Sequence, residues 1–100
     1  MNLLINENGN VVTGVLQGRL DTLAATQFAK DMEPLLEKAD KTIVLDCSGL
    51  DFISSSGLRL FLTLRKAATT KGGKVTLRGV SPSVKQVFTI TGFNTLFDFE

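Results

Sequence analysis

The sequence has 100 residues, of which 43% are hydrophobic and 21% are charged, and this predicts one soluble globular domain spanning residues 1–100. Eleven basic and ten acidic residues give a formal net charge of +1, a balance that offers no reason to expect a nucleic-acid partner. The chain has no histidine and one cysteine, which excludes a Ser-His-Asp triad and a zinc site built from His and Cys.

The sequence also bears on where the protein acts. No apolar stretch reaches the roughly 18–20 residues that a membrane-spanning helix requires, so no membrane insertion is expected. The first ten residues, MNLLINENGN, lack the basic start and the long apolar segment of a signal peptide. Cys47 cannot form an internal disulfide because it is the only cysteine. We therefore expect a cytoplasmic protein.

The first elements in chain order are a hairpin and a helix. Residues 3–5 and 11–17 are predicted to form two strands around an Asn-Gly turn. Asp21 or the next residue can accept hydrogen bonds from free backbone N–H groups and so begin a helix that continues to about residue 39. Pro34 lies inside that helix, and an interior proline removes a hydrogen bond, so we expect a bend or a second helix start there.

The second half of the chain repeats strand–helix units. Residues 42–45 form a continuous β-branched run typical of a central parallel strand. A second amphipathic helix follows the serines at 54–56 and ends before two glycines. The remaining elements are a strand over 74–78, a helix between Ser81-Pro82 and Gly92, and a short strand over 96–99. The predicted fold class is thus α/β, with the order β-β-α-β-α-β-α-β and a mixed sheet with a parallel centre covered by helices.

Three adjacent serines, Ser54, Ser55 and Ser56, stand at the start of the second helix. Serine is a preferred helix cap, and in one interpretation these serines only accept hydrogen bonds from the free N–H groups of the first helical turn. A second interpretation adds chemistry, because the positive end of a helix dipole stabilises a phosphate attached to such a serine. A serine nucleophile for hydrolysis is disfavoured, since the chain has no histidine and no lysine lies near the serines in the sequence.

The segment containing these serines resembles a known family. The stretch DCSGLDFISSSGL, residues 46–58, is similar to the signature of STAS domains, and within them to the anti-sigma factor antagonists. Three other segments agree with that family in the same order: residues 18–21, 77–84 and 91–97. The resemblance covers nearly the whole chain.

The resemblance implies a partner switch. In this family the unphosphorylated protein binds a kinase-type anti-sigma factor, phosphorylation of a serine at the start of the second helix releases it, and a serine phosphatase restores binding. Aligning the motif places the phosphoacceptor at Ser55. We expect the chain to be a substrate of these enzymes and not an enzyme itself, and we expect no cofactor or metal. The predicted partner-binding residues are Asp21, Ser54, Ser55, Ser56, Gly57 and Arg59.

Two departures from the family keep alternatives open. The antagonists commonly carry aspartate immediately before the acceptor, where this chain has Ser54, which makes Ser54 a competing acceptor. The alternative function is a STAS scaffold or accessory subunit of a lipid-transport or sensory complex that is never phosphorylated. The sequence also stops at Glu100, where the family usually continues into a final helix, so we expect either a shortened fold or apolar surface near Phe97 and Phe99 that a partner covers.

The acidic residues have two interpretations each. Asp21 and Asp46 follow predicted strands at the edge that carries Ser55, where each could shape a partner contact or form local cap and turn bonds. A metal site made of these two and Asp51 has no recognisable ligand spacing. Cys47, next to an apolar strand, is expected to be a small core residue.

Overall fold

A computed structural model describes all residues from Met1 to Glu100. Five strands form one sheet in the order β1-β2-β3-β4-β5, with β1 antiparallel to β2 and the other neighbours parallel. The predicted class and element order are confirmed. The strands are β1 (Asn2–Asn8), β2 (Val11–Leu20), β3 (Thr42–Ile53), β4 (Lys74–Arg78) and β5 (Asp98–Phe99). The helices are α1 (Thr22–Asp31), α2 (Glu33–Glu37), α3 (Ser55–Lys71) and α4 (Pro82–Thr91), with a 3-10 turn at Phe93–Thr95.

The helices cover one face of the sheet. Phe28 of α1, Phe61 of α3 and Phe88 of α4 form a row of rings with centroids 6.1 Å apart at both steps. These rings pack on inward-facing strand residues such as Leu16 and Leu45, all within a single buried cluster. Aromatic pairs at these spacings add to the stabilisation from apolar burial, so this row joins three helices to the parallel strands.

Pro34 starts a new helix, as the sequence predicts. Helix α1 ends at Asp31, and α2 begins at Glu33 with the proline in its first turn. A proline is tolerated there because its missing N–H would have no partner inside the helix. The buried side chains Met32 and Leu35 follow one another across this junction, so the interruption does not break the apolar face.

Strand β3 is longer than predicted. The sequence places its end near Leu45, whereas the strand continues to Ile53. Beyond Asp46 the pairing with β2 contains two register shifts, each of which adds one residue to β3. These bulges set the buried positions Cys47, Leu50 and Ile53 three residues apart, so the period of two that marks a strand is absent from this sequence.

The apolar surface expected near the end of the chain is closed within the chain. Phe97 is buried and Phe99 is half-buried. Their ring centroids lie 5.7 and 5.6 Å from that of Phe88, and Lys85 Nζ lies 4.8 Å above the Phe99 ring.

The longest helix, α3, has 17 residues, and none of the helices has the length and hydropathy of a bilayer-spanning segment.

Candidate functional site

The starts of α1 and α3 lie next to one another at one edge of the sheet. Strands β2 and β3 are parallel, so their carboxyl ends meet there, and Leu20 pairs with Ile53. The backbone N–H of Ser54 donates a hydrogen bond of 2.8 Å to the carbonyl of Leu20. In parallel α/β sheets this edge carries the functional groups.

Asp21 and Ser54 both cap a helix at this edge. The Asp21 carboxylate accepts a hydrogen bond of 2.8 Å from the backbone N–H of Ala24. The Ser54 hydroxyl oxygen accepts one of 3.1 Å from the N–H of Gly57. Each bond satisfies a donor that the first turn of a helix leaves free. The capping interpretation of the serine run is therefore correct for Ser54, and the capping interpretation of Asp21 is correct too.

Ser55 differs from its neighbour. It is the first residue of α3, its side chain is exposed, and its hydroxyl forms no hydrogen bond within the chain. Ser54 and Ser56 are half-buried. An approaching protein can therefore reach the Ser55 hydroxyl directly, at the positive end of a helix of 17 residues.

Gly57 and Arg59 occupy opposite environments on α3. Gly57 is buried, and a Cβ added there would lie 2.7 Å from Leu20 Cγ and 2.8 Å from Leu20 Cδ2. Glycine is therefore required for α3 to approach the sheet this closely. Arg59 is exposed, one turn after Ser55. The structure thus brings the six predicted partner-binding residues to one edge, with Gly57 beneath the surface.

The sequence analysis missed three residues at this edge. Leu23 in the first turn of α1 is 85% exposed, and Phe52 near the end of β3 is 37% exposed. The guanidinium carbon of Arg19 lies 4.5 Å from the centroid of the Phe52 ring, and both side chains point to the sheet face opposite α3, since their neighbours Leu20 and Ile53 are buried against that helix. Leu23 falls outside the apolar face of its helix, and that offset is the signal that could have identified it.

The prediction that Asp46 lies at the same edge as Ser55 is wrong. Because β3 is longer than predicted, Asp46 lies inside the strand, seven residues before its last residue, Ile53. The hydroxyl and N–H of Ser48 donate hydrogen bonds of 2.6 and 3.0 Å to the Asp46 carboxylate. These two bonds hold the pKa of Asp46 below its ordinary value.

The sequence analysis also considered Cys47 and a metal site made of acidic residues. Cys47 is buried, and desolvation, with a smaller contribution from the Asp46 carboxylate, raises the pKa of its thiol to about 12. The expectation of a core cysteine is therefore confirmed. No three acidic or thiol side chains lie close enough together to share a metal ion.

The family of the chain follows from its match to known proteins. Residues 2–100 match the STAS domain. The chain belongs to the STAS domain family. This STAS domain is 32% identical over 97 residues to BtrV of Bordetella bronchiseptica, which is named as an anti-sigma factor antagonist; the alignment covers 97% of this chain and 84% of BtrV.

Other relatives carry the same designation. The anti-sigma-B factor antagonist of Bacillus subtilis is 27% identical over 99 residues, covering 98% of this chain and 89% of that protein. The unphosphorylated form of the anti-sigma factor antagonist SpoIIAA has the same fold, with a TM-score of 0.79 at 23% identity over 99% of this chain and 88% of that one. The recognition of the family from the residue motifs is thus confirmed.

Proposed function

We propose that this STAS domain is an anti-sigma factor antagonist that works as a partner switch in the cytoplasm. Its unphosphorylated form binds a kinase-type anti-sigma factor and thereby frees a sigma factor. Phosphorylation of Ser55 ends the binding, and a serine phosphatase restores it. The chain is a substrate of these enzymes and has no catalytic role of its own.

One observation carries this proposal: the Ser55 hydroxyl is exposed and unbonded at the start of α3, while Ser54 provides the cap. The kinase would transfer the γ-phosphoryl group of ATP to Ser55 Oγ, with ADP leaving and the hydroxyl proton lost. The other possible acceptor, Ser54, is half-buried, and its oxygen already accepts the N–H of Gly57. This difference favours Ser55.

A phosphate at this position explains release without a change of fold. It adds about −1.5 to −2 charges at pH 7 and three acceptor oxygens to a surface that a partner must cover. An exposed apolar side chain, Leu23, lies in the first turn of α1, the helix whose start is next to that of α3. Burying this apolar surface favours association, whereas burying an unpaired phosphate dianion opposes it.

The test is phosphorylation by the anti-sigma kinase encoded in the same genome. Purified kinase and ATP should add one phosphate, measured by intact-mass spectrometry. Ser55→Ala should abolish the addition and keep kinase binding, and Ser55→Glu should weaken binding. Ser54→Ala is the matched control and should still accept one phosphate. Labelling that persists in Ser55→Ala would move the acceptor, and no labelling with retained binding would favour the scaffold function.

A further inference from the structure

A groove separates the first turns of α1 and α3 beside Ser55. Its volume is about 330 Å³, and it is the largest of three cavities on the molecule. Six side chains line it: Thr22, Ala25 and Thr26 from α1, and Ser56, Arg59 and Leu60 from α3. Because both helices start at this edge, the groove opens on the surface that contains the phosphoacceptor.

The groove matches an anionic group. Three of its side chains end in hydroxyls, one ends in a guanidinium, and none is acidic. The guanidinium of Arg59 forms neither an ion pair nor a hydrogen bond within the chain, since the three ion pairs use Glu7 and Glu100. The hydroxyls of Thr22, Thr26 and Ser56 also lack partners. A guanidinium with free donors is suited to bidentate binding of a carboxylate.

The same guanidinium is within reach of Ser55. Residues four apart on an α-helix are neighbours on its surface, with Cβ atoms about 5–6 Å apart. Side chains on a helix lean towards its N-terminus, so the Arg59 side chain can extend back over the turn that contains Ser55. An anion four residues before a cation is also the favourable order of such a pair.

Arg59 thus lines the groove and is also close enough to Ser55 to pair with a phosphate there. The geometry points to a groove that binds a carboxylate of the anti-sigma factor through Arg59, and to a phosphate on Ser55 that pairs with Arg59 and withdraws it from the groove. This inference rests on the proposed function and specifies how its partner is recognised and released. The phosphate therefore weakens docking by removing the cation that the partner needs, in addition to its own charge.

A binding measurement with matched variants tests the groove. The probe is the purified anti-sigma kinase from the same genome, titrated without nucleotide by calorimetry. Arg59→Gln should weaken binding about tenfold or more, the range for losing a hydrogen bond to a charged group. Lys66→Gln removes another exposed cation from α3, about two turns after Arg59 and outside the groove lining, and should leave the affinity unchanged. Equal affinities of wild type and Arg59→Gln would overturn the inference and leave the proposed function standing, whereas no binding by wild type would overturn both.

A phosphate titration tests the pairing without any partner. Phosphoserine is placed at position 55 by genetic encoding, and the second pKa of the phosphate, ordinarily about 6, is followed by ³¹P NMR. Pairing with Arg59 lowers this pKa, so Arg59→Gln should raise it by about 0.3 pH units while Lys66→Gln should not change it. Identical titrations for wild type and Arg59→Gln would contradict the withdrawal of Arg59 by the phosphate.

Discussion

Two neighbouring serines at the start of α3 have separate roles. The Ser54 hydroxyl accepts the N–H of Gly57 over 3.1 Å and closes the first turn. The Ser55 hydroxyl is exposed and has no partner in the chain. A modification at Ser55 therefore leaves the helix cap formed by Ser54 intact.

Replacing each serine by alanine should separate these roles. Ser54→Ala removes the cap and should lower the free energy of unfolding by about 1 kcal/mol, measured by urea denaturation. Ser55→Ala removes an exposed hydroxyl without a partner and should change it by less than about 0.5 kcal/mol. Equal losses for the two variants would contradict the assignment of the cap to Ser54.

Helix α3 can pack closely on the sheet because Gly57 has no side chain. The backbone conformation at Gly57 is ordinary, so the requirement for glycine comes from space alone. The nearest atoms to an added Cβ belong to Leu20 and Ile53, the last residues of the two strands that end beneath the helix. The position of α3, and with it that of Ser55, is set by this contact.

Gly57→Ala should therefore destabilise the protein although alanine favours helices. The methyl group would lie 2.7 Å from Leu20 Cγ, the branch atom of a buried side chain, so we expect a cost near the upper end of the roughly 1–3 kcal/mol range for overpacking, above the helix-propensity gain of about 1 kcal/mol. Thr70→Ala, at an exposed position of the same helix, is the control and should be neutral or slightly stabilising. Urea denaturation of both variants provides the measurement, and a Gly57→Ala protein as stable as wild type would refute the packing argument.

The elements of the fold were predictable where local rules dominate. Three features follow from the conformational limits of single residues. They are the turn at Gly9, which has a φ of +63°, the start of a new helix at Pro34, and the left-handed conformation of Gly92. The length of β3 was not predictable, because its bulges depend on pairing with β2 and leave no period in the sequence. The misplacement of Asp46 follows from that one error.

The site was predictable only in part. The motif located the serine run and Asp21, since caps and helix starts are local features. The groove between α1 and α3 was not predictable, because its lining residues are about 30 positions apart in sequence and meet only through the packing of two helices. Phe52 was missed for a related reason, because its exposure depends on which face of β3 the core occupies, and only the pairing with β2 determines that face.

Glu7 joins the β1–β2 hairpin to the segment that leads from α2 into β3. Its carboxylate accepts hydrogen bonds from the ammonium groups of Lys38 and Lys41. These bonds lower the pKa of Glu7 from its ordinary 4.5 to about 2. The contact lies at the opposite end of the sheet from Ser55, remote from the proposed partner-binding surface.

The stability of the protein should depend on this carboxylate in acid. A folded-state pKa below the unfolded one means that Glu7 contributes fully above pH 4.5, and that this contribution is lost as the pH falls towards 2. Between pH 5 and pH 2 the urea midpoint of Glu7→Gln should therefore fall less than that of wild type. Part of the fall that remains in Glu7→Gln is due to Asp46, whose pKa is also lowered in the folded state. Glu33→Gln, at an exposed residue without an ion pair, is the control, and a Glu7→Gln profile that matches the Glu33→Gln profile would exclude the contribution of Glu7.

The enclosure of the one cysteine has a practical consequence for following the switch. Cys47 is 1% exposed, and its thiol remains protonated at neutral pH. A second cysteine introduced on the solvent side would thus be the only thiol that a maleimide dye can attack, with no need to replace the natural one. Fluorophores can in this way be attached beside Ser55, the proposed phosphoacceptor, to report the binding of other proteins in real time.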